Sequence, residues 1–524
     1  MIFFGSVIRK RINEGDTALG NIDRKKRIAA NAFVGVVGQI LTILVGFVSR
    51  KIFILYLGQN LSGLGSTFTN VLSFLNLATT GISSVAQYKI FQYNAENDTE
   101  NLNKIYYFMR AMYSTVSLGI FLVGGLLSFK IDWIIHDNPF SNQYLQIVFL
   151  LMLVGDCISY LYAHIRAFLA AMERLFVYNI IYTGIYLGMT VCNLIAVMIW
   201  KNYYLYLVIL ILQNVLIGVI LALVVRSHFS FLYPRNREKF QDSRQLLGEI
   251  RNVLPRAVAK FVYNSTDNMV ISAFLGLISV NIFVNYTMIT DNVHKLASHF
   301  SNALRFSIGN ALFEKDGKNA LWGYVKLVTC AEFAVASTLS AITFGFIDYF
   351  IGDVWLSREF LAGDLIRNLL CIELYLKLMG EPLITLMNVT GKFRDDKVAY
   401  CFASTCNLVI SIFLVRSIGL SGVIIGTLVS EIMMFCYRAS KLLEEKSYYP
   451  KFICMQATML IITLIEAGVV FQLNRYVVGS FGLLGAIVLG LVMVAVLPCI
   501  GVLASSRYYN MMPIVQKTVK RFIK

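Results

Sequence analysis

A chain of 524 residues that is 57% hydrophobic and 15% charged cannot keep a water-facing surface, since soluble domains are about 25% charged. A mean hydropathy of +0.67 and seven prolines exclude a soluble enzyme, a disordered chain, a disulfide-rich secreted module and a proline-rich linker. The apolar runs are continuous and do not alternate every second residue, which excludes an outer-membrane barrel and leaves an all-α polytopic membrane protein.

The net charge of +16 would point to nucleic acid in a soluble protein. Here the basic residues fall between apolar runs, as the positive-inside rule and attraction to anionic lipid require, so no nucleic-acid partner is expected. The nine cysteines sit inside apolar runs and form no CxxC, and the five histidines form no HExxH. The cysteines read as small buried hydrophobes. No metal, cofactor or catalytic site is expected, and the chain reads as a non-enzyme.

In chain order, residues 1–30 form a basic tail with no apolar core and no small-residue cleavage site, hence no signal peptide. A bilayer core needs about 20 apolar residues per helix. About fourteen spans are predicted: 31–55, 63–88, 105–128, 143–163, 176–199, 203–225, 253–275, 281–304, 327–350, 365–388, 399–415, 420–436, 452–471 and 481–505. The basic segment 226–252 separates spans one to six (31–225) from spans seven to twelve (253–440). The extra pair occupies 441–505 and a tail 506–524. With the N-terminus inside, inner segments carry 32 Lys and Arg against five in the outer loops, Lys130, Lys201, Arg358, Arg416 and Arg475. That asymmetry predicts cytoplasmic termini.

An internal repeat accompanies this division. SRKIFILYLGQNLSGLGSTF (49–68) aligns without gaps to DNMVISAFLGLISVNIFVNY (267–286). Both place Leu-Gly at a span end (Leu57-Gly58, Leu275-Gly276) and an aromatic ten residues later (Phe68, Tyr286). The expected architecture is two pseudo-symmetric six-helix lobes plus two C-terminal helices, as transporters built from repeats have it.

Charges inside spans mark candidate sites, because a cation at mid-membrane costs at least about 2.5 kcal/mol. At 100° per residue, Arg256, Lys260, Tyr263 and Asp267 fall on one stripe of span seven. Thr287, Asp291, His294, Ser298 and Arg305 fall on one stripe of span eight. Two such helices either zip together in a buried seam or line a wet cavity, and the cation excess favours the cavity. Span one has a milder stripe, Asn31, Gly35, Gly38, Thr42 and Ser49, with Arg50 at its edge. It reads equally well as small-residue helix packing. In span ten Glu373 and Lys377 form an i, i+4 pair, and Glu381 precedes Pro382, a predicted kink. Asp156, Glu332, Glu431 and Glu466 are isolated acids.

The stretch from Lys26 to Gln87, with SRKIFILYLG and STFTNVLSFLNLATTGI, resembles bacterial polysaccharide flippases. So do NSTDNMVISAFLGLISVNIFVNY (264–286) and RSIGLSGVIIGTLVSEI (416–432). These flippases belong to the multidrug/oligosaccharidyl-lipid/polysaccharide superfamily, with the drug-exporting MATE proteins and the lipid II flippase. The resemblance covers about residues 26–440. It implies two six-helix lobes in a V around a cationic cavity, with spans thirteen and fourteen outside that core. It also implies an undecaprenyl-pyrophosphate-linked oligosaccharide as substrate, moved by alternating access for O-antigen, capsule or exopolysaccharide synthesis. The inner membrane is the expected location, and a polysaccharide polymerase and a chain-length regulator are the expected partners.

On this reading Arg50, Arg256, Lys260, Arg305, His294 and Tyr263 bind substrate, while Asp267, Asp291 and Glu373 couple an ion or pair the cations. A cation-coupled MATE-type exporter is the alternative and predicts an acidic, aromatic cavity. A membrane polymerase or glycosyltransferase is disfavoured because no outer loop exceeds about 15 residues.

Overall fold

The computed structural model describes residues 20–508 apart from 76, 132–134, 136–138, 234, 236–239, 241, 244–245, 249–254, 256–257, 260–261, 264, 313–320 and 444–447. Among them the secondary structure is helical throughout. The helices are α1 (Gly20–Leu57), α2 (Gln59–Leu75), α3 (Leu77–Ala95), α4 (Thr99–Ser128), α5 (Asn142–Ala171), α6 (Leu175–Trp200) and α7 (Tyr203–His228). They continue with α8 (Asp267–Leu312), α9 (Leu321–Tyr349), α10 (Asp364–Val389), α11 (Phe393–Ile418), α12 (Leu420–Leu442) and α13 (Tyr448–Tyr508). Ten are long and apolar enough to cross a membrane. The protein is a polytopic all-α membrane protein.

Two of these helices are hairpins in disguise. α8 breaks at Gly276 (φ 80°, ψ 178°), the boundary between predicted spans seven and eight. α13 breaks at Gly482 (φ 58°), at the start of predicted span fourteen. The same left-handed turn stands at Gly58 (φ 90°), between α1 and α2. A residue with a Cβ pays a steric penalty there, whereas glycine does not. The aligned glycines of the repeat therefore both take a positive φ. Their aligned aromatics, Phe68 and Tyr286, are both fully buried.

The connections after spans four and ten also match. Glu173 (φ 57°) and Gly391 (φ 73°) each follow a helix C-terminus in the left-handed region. In each case the next amide reaches back five residues, Arg174 N to Leu169 O (2.8 Å) and Lys392 N to Met387 O (3.0 Å). This is the Schellman closure, which satisfies carbonyls the helix end would otherwise orphan. Pro382 sits inside α10, which remains a continuous helix across it.

The contacts divide the chain into two compact units. One takes Met1–Gly58, Leu75–Ile131 and Phe140–Ala257; the other takes Gln59–Phe74, Asp132–Pro139 and Val258–Lys524. Most of α2 thus groups with the C-terminal half, unlike the 31–225 boundary expected from the linker. A close backbone approach explains this: a Cβ at Gly63 would lie 2.1 Å from the Leu277 carbonyl oxygen.

The N-terminal unit has a core of α3–α7 side chains such as Ile90, Ile105, Phe168, Ile217 and Leu221. The span-one stripe is resolved as packing. Asn31 Nδ2 donates to Glu173 O (3.0 Å) and Asn31 Oδ1 accepts from Phe176 N (2.7 Å), while Gly35 and Gly38 lie against Asn179 and Thr183 of α6. In the C-terminal unit α9, α10, α12 and α13 share a second core around Phe333, Leu378, Leu386 and Phe452. The extra helices are part of this packing: Asn474 Nδ2 donates to Gly345 O (2.7 Å) across α13 and α9. The cysteines depart from the buried expectation. Cys157, Cys330 and Cys371 are buried, but Cys192, Cys401, Cys454 and Cys499 are exposed on apolar helix faces.

Candidate functional site

The site lies within the C-terminal unit. A cavity of about 410 Å³ is lined by Asn70 of α2, by Tyr263 and Ser265, and by Asp267, Asn268, Phe283, Thr287, Asp291, His294 and Lys295 of α8. Glu373, Lys377, Gly380, Glu381 and Ile384 of α10, Tyr400 of α11, and Glu431, Met434 and Arg438 of α12 complete it. The i, i+3, i+4 spacing of Thr287, Asp291 and His294, and of Glu373, Lys377 and Gly380–Glu381, puts each set on one helix face.

The charges are arranged in pairs. Lys377 Nζ lies 2.6 Å from Glu373 Oε1, one turn earlier, and 4.0 Å from Asp291 Oδ1 across the cavity. His294 Nε2 is 3.1 Å from Glu381 Oε1. Arg438 Nε donates to Asp396 Oδ1 at 2.9 Å, with both side chains 2% exposed, and its guanidinium lies 4.8 Å from the Tyr400 ring centroid. Cavity and ion pairing therefore coexist. Five carboxylates (Asp267, Asp291, Glu373, Glu381, Glu431) face three cations (Lys295, Lys377, Arg438) among the described lining residues.

A separate polar cluster surrounds Asp267. Thr427 Oγ1 donates to its Oδ2 (3.1 Å), while Oδ1 is buried with no hydrogen-bond partner among the described residues. Asn407 adjoins the same carboxylate. Ser411 Oγ lies 2.9 Å from Asn407 Oδ1 and 3.3 Å from Val423 O. Helices α11 and α12 can approach this closely because position 426 is glycine: a Cβ there would fall 2.3 Å from Ser411 Oγ. Carboxylate, amide, hydroxyl and carbonyl oxygens form the donor set that hard cations select. An orphaned carboxylate oxygen also leaves room for a proton.

The sequence-derived residues distribute as follows. Tyr263, Asp267, Asp291, His294 and Glu373 line the cavity. His294 is paired with Glu381 and Glu373 with Lys377, so neither is an isolated group. Arg256 and Lys260 lie outside the described residues, and of Arg305 only the backbone, within α8, is described. Arg50 is half-buried on α1 in the N-terminal unit, beside Tyr206 of α7. Arg438, just beyond the end of predicted span twelve (420–436), is buried and lines the cavity. Asn407, Ser411 and Thr427 carried no sequence signal, because neutral polar residues scattered through an apolar span form no charged stripe.

Neither a family model nor a characterised protein matches this sequence. Solved structures do. The lipid II flippase MurJ in an inward closed conformation superimposes with a TM-score of 0.65 at 14% identity, covering 91% of this chain and 99% of that one. The chain shares the fold of that flippase. An inward-facing multidrug-resistance MATE transporter of the MOP superfamily matches with a TM-score of 0.55 at 15% identity, over 78% of this chain and 96% of its own. A Vibrio cholerae MATE transporter matches with a TM-score of 0.55 at 12% identity, over 81% and 98%. The likeness to the flippase thus covers more of this chain than the likeness to the MATE structures.

Proposed function

We propose that this protein is a flippase that carries undecaprenyl-pyrophosphate-linked oligosaccharide across the bacterial cytoplasmic membrane by alternating access. The product would feed synthesis of O-antigen, capsule or exopolysaccharide, with a polymerase and a chain-length regulator downstream. The observation that carries the reading is the extent of the structural likeness: 91% of this chain against a lipid II flippase, and 78% and 81% against the two MATE transporters. Transport rather than catalysis is its activity, and both termini are cytoplasmic.

In this reading Arg256, Lys260 and Arg305 bind the pyrophosphate from the C-terminal half, Arg50 from the N-terminal half, and Tyr263 and His294 line its path. Arg supplies fork-shaped donors to phosphate and Lys a point charge. Asp267, with Thr427, Asn407 and Ser411, holds a sodium ion or a proton that couples the cycle. Asp291 and Glu373 keep Lys377 charged and placed. A second reading, a cation-coupled exporter, is favoured by the carboxylate excess of the described lining.

Complementation of surface polysaccharide in a flippase-null strain, normalised to membrane protein level, separates the two. Removing one phosphate-binding cation costs about 1.5–3 kcal/mol, the scale of a charge-assisted hydrogen bond. Arg256→Ala, Lys260→Ala and Arg305→Ala should each lower polysaccharide at normal abundance, with Arg256→Lys milder than Arg256→Ala. Normal polysaccharide in all three refutes the cationic site. A buried seam predicts lost abundance before lost transport.

A further inference from the structure

The seam between α9 and α13 buries a carboxyl that neither the cation site nor the ion cluster uses. The two helices run close because position 345 is glycine: a Cβ there would lie 2.6 Å from Val470 Cγ1. Glu466 of α13, before the break at Gly482, is 7% exposed. The Ser337 hydroxyl of α9 can bond one of its carboxyl oxygens, and the other has no hydrogen-bond partner among the described residues.

No cation compensates this carboxyl. Glu466 takes part in no ion pair among the described residues. Arg367 of α10 is committed elsewhere: its Nη1 lies 2.8 Å from Asp348 Oδ2 and 3.0 Å from Asp364 Oδ1. Its guanidinium also stacks against Phe344 and Phe471, 5.1 and 4.8 Å from their ring centroids. The other titratable groups of the packed elements bring no positive charge. They are Glu332 on α9, Cys371 and Tyr375 on α10, all buried, and Cys499 on the second half of α13, which is exposed. An ionised carboxylate buried without a counter-cation costs several kcal/mol. Glu466 therefore rests in its protonated form.

A route to water begins one turn away. Thr463, a turn before Glu466 on α13, lines a cavity of about 210 Å³ within the C-terminal unit. The other polar walls of that cavity are Ser340 of α9 and Asn368, Cys371 and Tyr375 of α10. The i, i+3, i+7 spacing of the last three puts them on one helix face. The Tyr375 hydroxyl adjoins Thr463 and lies within the field of Glu466. A polar cavity of this size has room for several waters, each taking about 30 Å³ in the liquid. At its far end Asn368 Oδ1 accepts from Arg367 Nη2 at 3.0 Å. Arg367 leads on to Asp348, whose side chain is 26% exposed. Asp348 stands at the C-terminal end of α9, which the charge asymmetry of the loops puts outside.

We propose that Glu466 is a proton-binding site, reached from the outer face through the cavity between α9, α10 and α13 and separate from the Asp267 cluster. The proton comes from outer water and returns to it, so the exchange needs no other reactant. Ionised Glu466 is stable only where water reaches it. A movement of α13 against α9 that wets the seam therefore releases the proton, and closing the seam takes it up. The test uses the full-length protein in lipid nanodiscs, with the proton itself as probe, read by the infrared carbonyl stretch of protonated carboxyls. At about pH 6 the wild type should show a band that Glu466→Gln lacks, and that band should be gone by about pH 9. It should also shift within minutes of transfer to D2O. No band lost in Glu466→Gln means an ionised Glu466 and overturns the site. A band that neither titrates nor exchanges makes Glu466 an inert core acid and overturns it equally. Should Glu466→Gln fail to fold, Glu466→Asp keeps a carboxyl and should move the band in frequency; an unmoved band refutes the assignment. Thr463→Val keeps the shape but removes the hydroxyl beside the cavity, and should slow the D2O shift several-fold. An unchanged rate refutes the route from outside. None of these readouts involves a glycolipid, so they are decided apart from the flippase reading.

Discussion

The two units solve the problem of polar groups in a membrane in different ways. In the N-terminal unit amides reach backbone carbonyls, Asn103 to Phe231 O, Asn193 to Tyr206 O and Asn214 to Gly155 O, and among the described residues only His164 Nδ1 and Asn193 Oδ1 are buried without a partner. In the C-terminal unit buried polar atoms face one another, and several, such as Asp267 Oδ1, Asn268 Oδ1 and Ser272 Oγ, have no hydrogen-bond partner among the described residues. The turns at Gly58 and Gly276, and at Glu173 and Gly391, are alike in both halves. The joints are thus repeated in the two halves, while the unpartnered buried polar atoms among the described residues fall mostly in the C-terminal one. Unsatisfied buried groups are rare in folded proteins, and each calls for an explanation.

This contrast can be broken by substitution. The largest effect is expected at the Arg438–Asp396 pair, where both side chains are 2% exposed. Removing one member of a buried pair costs about 3–5 kcal/mol, because the other is left charged and alone. Arg438→Met should therefore sharply lower thermal stability and abundance, and Arg438→Met/Asp396→Leu should recover much of the loss. A loss in the double variant equal to the sum of the losses in Arg438→Met and Asp396→Leu alone would show that the pair is not coupled.

Next comes coupling. Asp267→Asn removes the charge but keeps the shape, and should weaken ion dependence by about 1.5–3 kcal/mol, at least about tenfold in apparent ion affinity. Asp291→Asn should impair transport less, since Lys377 keeps Glu373 at 2.6 Å. Transport and gradient dependence unchanged in the double Asn variant would make both acids structural.

In the N-terminal unit a polar substitution should cost stability, not ion coupling. Asn31→Leu forfeits the bonds to Glu173 O and Phe176 N. Membrane hydrogen bonds average about 0.6 kcal/mol, up to about 1.7, so a loss near 1 kcal/mol in unfolding measurements is expected, with normal ion dependence. Altered coupling at normal stability would move function into span one.

The smallest effect is expected outside the membrane. Asp242 of the linker accepts from Lys89 Nζ (2.8 Å) and Tyr93 OH (3.2 Å). The lysine holds its carboxyl below the usual carboxylate range. A depressed folded pKa adds stability above the unfolded value, about 3.9, and that stability is lost as pH falls through the lower folded value. The pair is partly exposed, so Asp242→Asn should cost only a few tenths of a kcal/mol at neutral pH. It should also flatten the acid limb of a stability–pH profile.

The spans and the glycine joints were legible because hydrophobic length and Leu-Gly pairs are local signals. Asp267, Asp291 and His294, which line the cavity, stood out because charge is conspicuous against an apolar background. Three things were not. Arg438 lies near a span end, where a snorkelling cation and a buried ion pair read alike until Asp396 is placed beside it. The neighbours of Asp267, namely Asn407, Ser411 and Thr427, come from two other helices, and no periodicity links them to it. The span-one stripe looked the same whether it faced a cavity or α6, since small residues serve both. Sequence shows which face differs, and only packing shows what that face meets.

The most direct test of the central claim is translocation in proteoliposomes. A polyprenyl-pyrophosphate oligosaccharide carrying a fluorescent sugar should move between leaflets faster with the wild-type protein than in protein-free vesicles, and respond to an imposed sodium or proton gradient. Asp267→Asn should shift that response to at least about tenfold higher ion concentration. No acceleration of the glycolipid, together with gradient-driven efflux of a cationic dye, would contradict the flippase account and favour the exporter.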